Sequence, residues 1–307
     1  LTLVDYTPPA GLDPAQVVKM EPRSLGTHDG SFHADEVTAC SLLLLVNLID
    51  RDKIYRTRDP GVLDQCDFVC DVGGIYSSSK RRFDHHQVEY QGPLSSAGMV
   101  LFYLKEQNLL EPHLFDYFNK ALIMGIDAHD NGLSKLEPGV TSFSQVISNF
   151  MPIEYNVSRE KMDVAFLRAV DFALGHLSRL KERHAYTMRC RSQVQQAMAD
   201  QRRVLMFDES IPWLENFFEL GGETHPAEFV IMPTEHHWKL RGVPPSLSER
   251  MKVRKAHPSE WAGLHGEEFK KISGIPGAIF CHKGRFISVW ETKQDALKAL
   301  GKIWDKA

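Results

Sequence analysis

The chain presents three separate groups of histidine and carboxylate. Thr27-His28-Asp29-Gly30-Ser31-Phe32-His33-Ala34-Asp35-Glu36 is the first, Asp71-Val72-Gly73-Gly74 the second and Asp84-His85-His86 the third. A fourth stretch, Asp127-Ala128-His129-Asp130-Asn131-Gly132, adds two further aspartates. Imidazole nitrogen and carboxylate oxygen together suit Mn²⁺, Fe²⁺ or Zn²⁺. More ligands than a single ion can use point to two ions, and paired ions are a device for phosphoester cleavage. His28, His33 and Asp35 lie close enough in sequence for one loop to wrap an ion, and Gly30 permits the turn. Asp71 precedes two glycines, which let another group approach, and its two oxygens suit a bridge between ions. His85 and His86 follow the basic run Lys80-Arg81-Arg82, and guanidinium beside a metal site suits a phosphate dianion. Each residue alone has a plainer explanation, because an Asp before Gly is usually a turn residue. It is the combination that predicts a metal site.

Elements must place these groups, and a strand precedes each of the first three. Ser24–Thr27 reads as a short strand ending in the His28 loop, and Asp35–Leu48 as a buried helix with acidic residues in its first turn. Ile54–Thr57 and Phe68–Cys70 read as further strands, the latter delivering Asp71. Strand–helix–strand alternation predicts an α/β fold with a parallel sheet, whose ligands bind at the carboxyl ends of the strands. Ser95-Ser96-Ala97-Gly98 precedes an apolar helix reaching Leu104; it reads either as a plain cap or as a helix N-terminus that binds phosphate. Leu114–Ile126 reads as one helix. Ser158–Leu205 reads as two helices or one long connector, with Gly175 as a weak point. A second unit begins near Phe207, with strands at Phe229–Ile231 and Ala278–Phe280 and a closing helix at Lys293–Ile303. The expected organisation is an N-terminal extension (1–22), a metal-binding α/β domain with connecting helices (23–205) and a smaller C-terminal α/β domain for substrate (206–307).

Bulk properties narrow the class. The 307 residues are 43% hydrophobic and 25% charged, which fits one large domain or two ordinary ones. No apolar run approaches a membrane span, and Leu42–Val46 is the densest. The five cysteines are scattered and odd in number, as expected of reduced thiols in an intracellular protein. The net charge of −4 argues against a strong nonspecific nucleic-acid binder. From Lys239 to Lys302, however, 13 Lys/Arg stand against 6 Asp/Glu, so a basic surface there could hold an anionic polymer. The chain begins at Leu1, which leaves targeting signals unjudged.

Taken in order, THDGSFHADE, TRDP (57–60), DVGG (71–74), RRFDHHQ (81–87), LSSAG (94–98), DAHDNG (127–132) and SGIPGAIFCHKGRF (273–286) resemble the DHH phosphoesterase superfamily. Within it they resemble the melanocyte-proliferating-gene (Myg) family of exonucleases. The resemblance implies a DHH-type α/β domain carrying the metals and a C-terminal domain closing over substrate. It implies a 3′→5′ exonuclease on single-stranded RNA, or other single strands, using two divalent ions, Mn²⁺ favoured. It implies nucleus or mitochondrion if the source is eukaryotic, and cytoplasm otherwise. By the same resemblance His28, His33 and Asp71 hold one ion, and Asp35, Asp71, His85 and Asp127 the other. Spacing leaves Asp130 open as the alternative to Asp127. His86 contacts the scissile phosphate, Asp84 orients an imidazole, and Arg81 or Arg82 offsets phosphate charge. Ser95, Ser96, His282, Lys283 and Arg285 are expected to hold substrate, with stacking or core packing open for Phe286 and Trp290.

Two departures from the pattern stand out. His33 occupies a position where many superfamily members have Asp, and its spacing from His28 is one residue longer. Ser288-Val289 follows Phe286-Ile287 where the family tends to carry two glycines. A phosphatase or pyrophosphatase for small substrates, and a noncatalytic RNA-binding protein, are the alternative functions.

Overall fold

The computed structural model describes residues 19–135 and 137–305, so most of the expected extension lies outside the described residues. The chain forms two compact units, 1–182 and 183–307. The division falls inside a long helix, ahead of the boundary at 205/206 expected from the sequence.

In the first unit the order is β1 (Glu21–Thr27), α1 (Ala34–Leu45), β2 (Ile54–Arg56), α2 (Pro60–Leu63), β3 (Cys66–Cys70), β4 (Tyr76–Ser77), β5 (Arg82–Phe83), α3 (Ser96–Glu106), α4 (Pro112–Phe118), α5 (Met124–Asp130), α6 (Phe143–Ser148) and α7 (Arg159–Arg189). The sheet runs β2-β1-β3-β5-β4. Its pairs β1·β2, β1·β3 and β3·β5 are parallel, and only the edge strand β4 is antiparallel. The expected parallel sheet therefore carries one antiparallel edge. β4 and β5 have two residues each, too short to show an alternating pattern in sequence.

Helix α1 is buried from Ala34 to Leu43. It packs against α3, α5, α6 and β3, which is why its sequence is apolar nearly all round. Its first turn is closed by Glu36, whose carboxylate accepts the His33 backbone N–H at 2.9 Å. The single helix expected over 114–126 is instead α4, a π-helical turn at Asn119–Ile123, and α5. Helix α7 passes through Gly175 without a break, and the chain interrupts at Cys190 before α8 (Arg191–Met198).

The second unit continues with β6 (Val204–Met206), α9 (Leu214–Glu219), β7 (Phe229–Pro233), β8 (Trp238–Gly242), α10 (Gly266–Ser273), β9 (Ala278–Cys281), β10 (Ile287–Trp290) and α11 (Lys293–Asp305). The sheet order is β6-β7-β8-β10-β9, with β6·β7 parallel and the other pairs antiparallel. Trp290 is fully buried and lies edge-on to Trp261, so it is core and not a stacking platform. The five cysteines are buried and unpaired. Among the described residues no helix is long and apolar enough to cross a membrane. The protein is thus an α/β protein with two mixed sheets.

Candidate metal centre

Strand ends bring the histidines and carboxylates together. His28 follows β1, Asp71 follows β3 and the Asp84-His85-His86 triplet follows β5. Asp71 has φ 58°, a left-handed conformation uncommon for a non-glycine residue and found most at functional sites. Gly73 and Gly74 continue the turn at φ 96° and 68°. Gly74 N–H donates to Asp84 Oδ2 at 2.6 Å, tying this turn to the triplet.

Three groups of side chains converge: His28, His33, Glu36 and Asp71; Asp71, His85 and His86; Asp35, His85 and Asp130. Within each group the ligand atoms lie inside 4.8 Å of one another. Asp71 and His85 are each shared by two groups. The His28 Nδ1–H donates to the Asp29 carbonyl at 3.0 Å, because a carbonyl can only accept. That occupies Nδ1 and leaves Nε2 facing Glu36 Oε1 at 3.1 Å and Asp71 Oδ2 at 3.3 Å. His85 Nε2 faces Asp130 Oδ2 at 2.9 Å, Asp71 Oδ1 at 3.5 Å and Asp35 Oδ2 at 3.8 Å.

Electrostatics and unsatisfied atoms show what these groups fit. Burial disfavours the charged form of His28, but Asp71 and Glu36 outweigh it and raise its pKa to about 10. Asp130 and Asp71 raise His85 to about 10 as well. Burial and the charges of Asp71 and Asp130 push Asp35 well above the ordinary carboxylate range. Burial works against the charge of Asp71 too, yet His28 and His85 hold its carboxyl below that range. Glu36 Oε2 and Asp71 Oδ1 are buried carboxylate oxygens without a well-formed hydrogen bond, while His85 Nε2 has only carboxylates around it, Asp130 Oδ2 nearest at 2.9 Å. Such orphans are costly in a protein interior. Both oxygens belong to the convergent groups, and the clustering of carboxylates around them calls for cations. The donor set of imidazole nitrogen and carboxylate oxygen fits Mn²⁺ and its neighbours.

The third histidine behaves differently. His86 Nδ1–H donates to Asp84 Oδ1 at 2.7 Å, and its side chain is 64% exposed. Asp84 is buried and holds His86, so the ring turns its other nitrogen outward.

Glu36 was missed in sequence, where it reads only as an acidic residue in the first turn of a buried helix. Arg56 was missed as well. Its buried guanidinium pairs with Asp163 at 2.7 Å, lies 4.8 Å from the Phe166 ring centroid and donates to the Gly30 carbonyl at 2.5 Å. It thereby pins the loop that carries His28 and His33.

Several expected site residues are placed elsewhere. Asp127 is outside the three groups: its Oδ1 accepts from Ser95 N–H at 3.0 Å and from Ser95 Oγ at 2.7 Å. Asp130, one turn later on α5, reaches His85 instead. The convergent groups thus contain Asp130 and not the Asp127 expected from the sequence. Ser95 and Ser96 are fully buried. The α3 N-terminus is already filled by the protein's own carboxylates, since Ser96 N–H and Ala97 N–H donate to Asp35 at 2.9 and 2.6 Å. The two serines make internal hydrogen bonds, Ser95 to Asp127 and Ser96 Oγ to the Phe83 carbonyl at 2.6 Å.

Arg81 pairs with Asp67 and lies 4.9 Å from the Phe68 ring centroid. Arg82 donates to the backbone carbonyls of Cys66 and Asp67. Neither lines the cavity over the metal groups; they fasten β5 to β3. In the second unit, His282, Lys283 and Arg285 sit in the β9–β10 turn. His282 Nδ1 accepts from Gly284 N–H at 2.9 Å, and Arg285 takes φ 56°. The Ser288 that stands in place of a glycine is buried. Its Oγ bonds His257 Nε2 at 2.9 Å and accepts from Trp290 Nε1–H at 2.8 Å.

A cavity of about 1030 Å³ covers the groups, lined from His28 through Ser148. An α/β protein with paired histidine–carboxylate groups at its strand ends is the class that fold and site define. A family model named MYG1_exonuc, described as an uncharacterised protein family (UPF0160), matches residues 24–302. The MYG1 protein of Chlamydia trachomatis serovar D is 50% identical over 282 residues, 92% of this chain and 96% of that protein. The MYG1 exonuclease of Homo sapiens is 31% identical over 323 residues, covering 91% of this chain and 85% of that protein. The chain belongs to the MYG1 exonuclease family. RecJ from Thermus thermophilus in complex with Mn²⁺ aligns with a TM-score of 0.28 and 12% identity, over 92% of this chain and 52% of RecJ. The chain spans about half the length of that RecJ structure.

Proposed function

We propose that the chain is a two-metal phosphodiesterase, a 3′→5′ exonuclease on single-stranded RNA that releases nucleoside 5′-monophosphates. The observation that carries this reading is the sharing of Asp71 and His85 between adjacent ligand groups under one cavity. A shared carboxylate is what two neighbouring ions need. His28, His33, Glu36 and Asp71 would hold one ion; Asp35, Asp71, His85 and Asp130 the other. Bound ions of this kind lower the pKa of water and offset charge on phosphate oxygens. His86, held by Asp84, is the exposed donor placed to meet a phosphate oxygen. Its Nδ1 is occupied, so Nε2 is the atom that reaches substrate. His282, Lys283 and Arg285, together with the basic surplus of the second unit, offer a surface for the RNA backbone. The printed names of relatives support the exonuclease reading.

The test is product analysis. With Mn²⁺, a short single-stranded RNA should yield nucleoside 5′-monophosphates faster than pyrophosphate or a dinucleotide is hydrolysed. Rapid pyrophosphate turnover with intact RNA would move the protein to small phosphate esters. Tight RNA binding without turnover in any metal would make it a binding protein.

A further inference from the structure

The cavity over the metal groups is lined by five aspartates, Asp29, Asp35, Asp71, Asp84 and Asp130, and by a single Lys or Arg, Arg58. An incoming phosphate ester meets a strongly acidic wall there, and the two arginines expected to offset its charge are committed to Asp67 and to backbone carbonyls. Arg58 is held differently. Its neighbour Thr57 continues the β1·β2 pairing one step past the strands, donating N–H to the Thr27 carbonyl at 2.7 Å. Asp59 then caps α2, its Oδ1 accepting Gly61 N–H at 2.8 Å, with Pro60 in the first helical position. The backbone of Arg58 is therefore fixed on both sides, at the strand edge from which the His28 loop departs.

Its side chain is not fixed. It is 66% exposed, and its ion pair is Nε to Asp29 Oδ1 at 3.4 Å, longer than a well-formed N–H···O bond. A guanidinium with so loose a partner retains its capacity for paired, charge-assisted bonds to phosphate oxygens.

We propose that Arg58 is the cavity's receptor for a non-bridging phosphate oxygen of the substrate, and that Asp29 is the placeholder this phosphate displaces. The proposal rests on the reading that the cavity takes a phosphate ester. It makes Arg58 a binding residue that acts independently of the metal ligands.

The test is calorimetric titration of AMP, a nucleoside 5′-monophosphate, into the Mn²⁺-loaded full chain, for wild type, Arg58→Gln, Arg58→Lys and Asp29→Asn. Arg58→Gln should weaken AMP binding by about tenfold, the worth of a charge-assisted bond, with Mn²⁺ affinity unchanged. Arg58→Lys should fall between, because it keeps the charge and loses the fork. Asp29→Asn should bind AMP more tightly than wild type. Equal AMP affinity in wild type and Arg58→Gln overturns the proposal and leaves the phosphate-ester reading standing. A parallel loss of Mn²⁺ affinity also overturns it, by making Arg58 a support for the ions. If wild type binds no AMP, the phosphate-ester reading fails and Arg58 falls with it.

Discussion

Replacing Glu36 by Gln separates two roles that the structure superimposes on this side chain. Glu36 is fully buried. Its Oε1 accepts the His33 N–H at 2.9 Å and lies 3.1 Å from His28 Nε2, while Oε2 has no partner. Glutamine has the same shape, and its amide oxygen can keep the helix cap. What it removes is one negative charge facing the first ion. Taking away one partner of a buried charge pair costs roughly 3 kcal/mol at the lower end, about a hundredfold in affinity. The metal-free variant keeps the cap and keeps Asp71 as the charge partner of His28, but loses the charge of Glu36, so its unfolding free energy should fall modestly. The second group, Asp35, His85 and Asp130, does not include Glu36 and should keep its ion. Isothermal titration with Mn²⁺ should therefore turn from two tight events in the wild type to one tight and one weak event in the variant. Circular dichroism checks that the fold is intact. Two wild-type affinities in Glu36→Gln would refute the ligand role and reduce Glu36 to a capping residue.

Other outcomes follow from the same geometry. Asp130→Asn should weaken one Mn²⁺ site by tenfold or more, whereas Asp127→Asn should keep both ions, since its oxygen still accepts from Ser95; calorimetry of the pair settles which aspartate binds metal. Gly98→Ala would set a Cβ 2.6 Å from Asp127 Oδ2, crowding that carboxylate off Ser95, and should cost about 1–3 kcal/mol in urea unfolding, with no change pointing to a relaxed backbone. His257 is buried, and burial, opposed by its bond to the Arg285 carbonyl, lowers its pKa to about 4. The unfolded chain therefore takes up a proton near pH 6.5 that the folded state refuses. Stability conferred by neutral His257 is complete above pH 6.5 and is lost as pH falls toward 4, by about 3 kcal/mol. Unfolding followed by Trp fluorescence at pH 7 and 4.5 should show a steeper loss in wild type than in His257→Asn, and equal slopes would argue against a buried neutral ring.

Much of the candidate site was legible because histidines and aspartates at strand ends announce themselves. His28 and Asp71 each follow a strand with a buried apolar end, and the α/β alternation that places them is a local pattern. The rest depended on contacts far apart in sequence. Ser95 and Ser96 read in sequence as a plain cap or a phosphate-binding helix start, and only the fold shows that Asp35, 61 residues earlier in the chain, accepts from Ser96 N–H. Asp127 and Asp130 are three residues apart on one helix, so both project toward one side, and only the partners facing them decide between ligand and cap. Arg81 precedes and Arg82 begins a two-residue strand whose face no periodicity can assign. Glu36 was hidden by being correct twice: its spacing from His33 satisfies a capping rule whether or not it also meets an ion. Arg58 was visible only as part of a motif, and its place on the cavity wall required the β1·β2 pairing.

The central claim is that Asp71 joins two ions that together cleave RNA. The measurement that tests it most directly is degradation of a 5′-labelled single-stranded RNA in Mn²⁺ by wild type and by Asp71→Asn, with bound Mn²⁺ counted in both. Wild type should give a ladder shortening from the 3′ end, and the variant should lose both activity and metal. A variant that retains two ions and full activity, or a wild type that leaves the RNA intact, would contradict it.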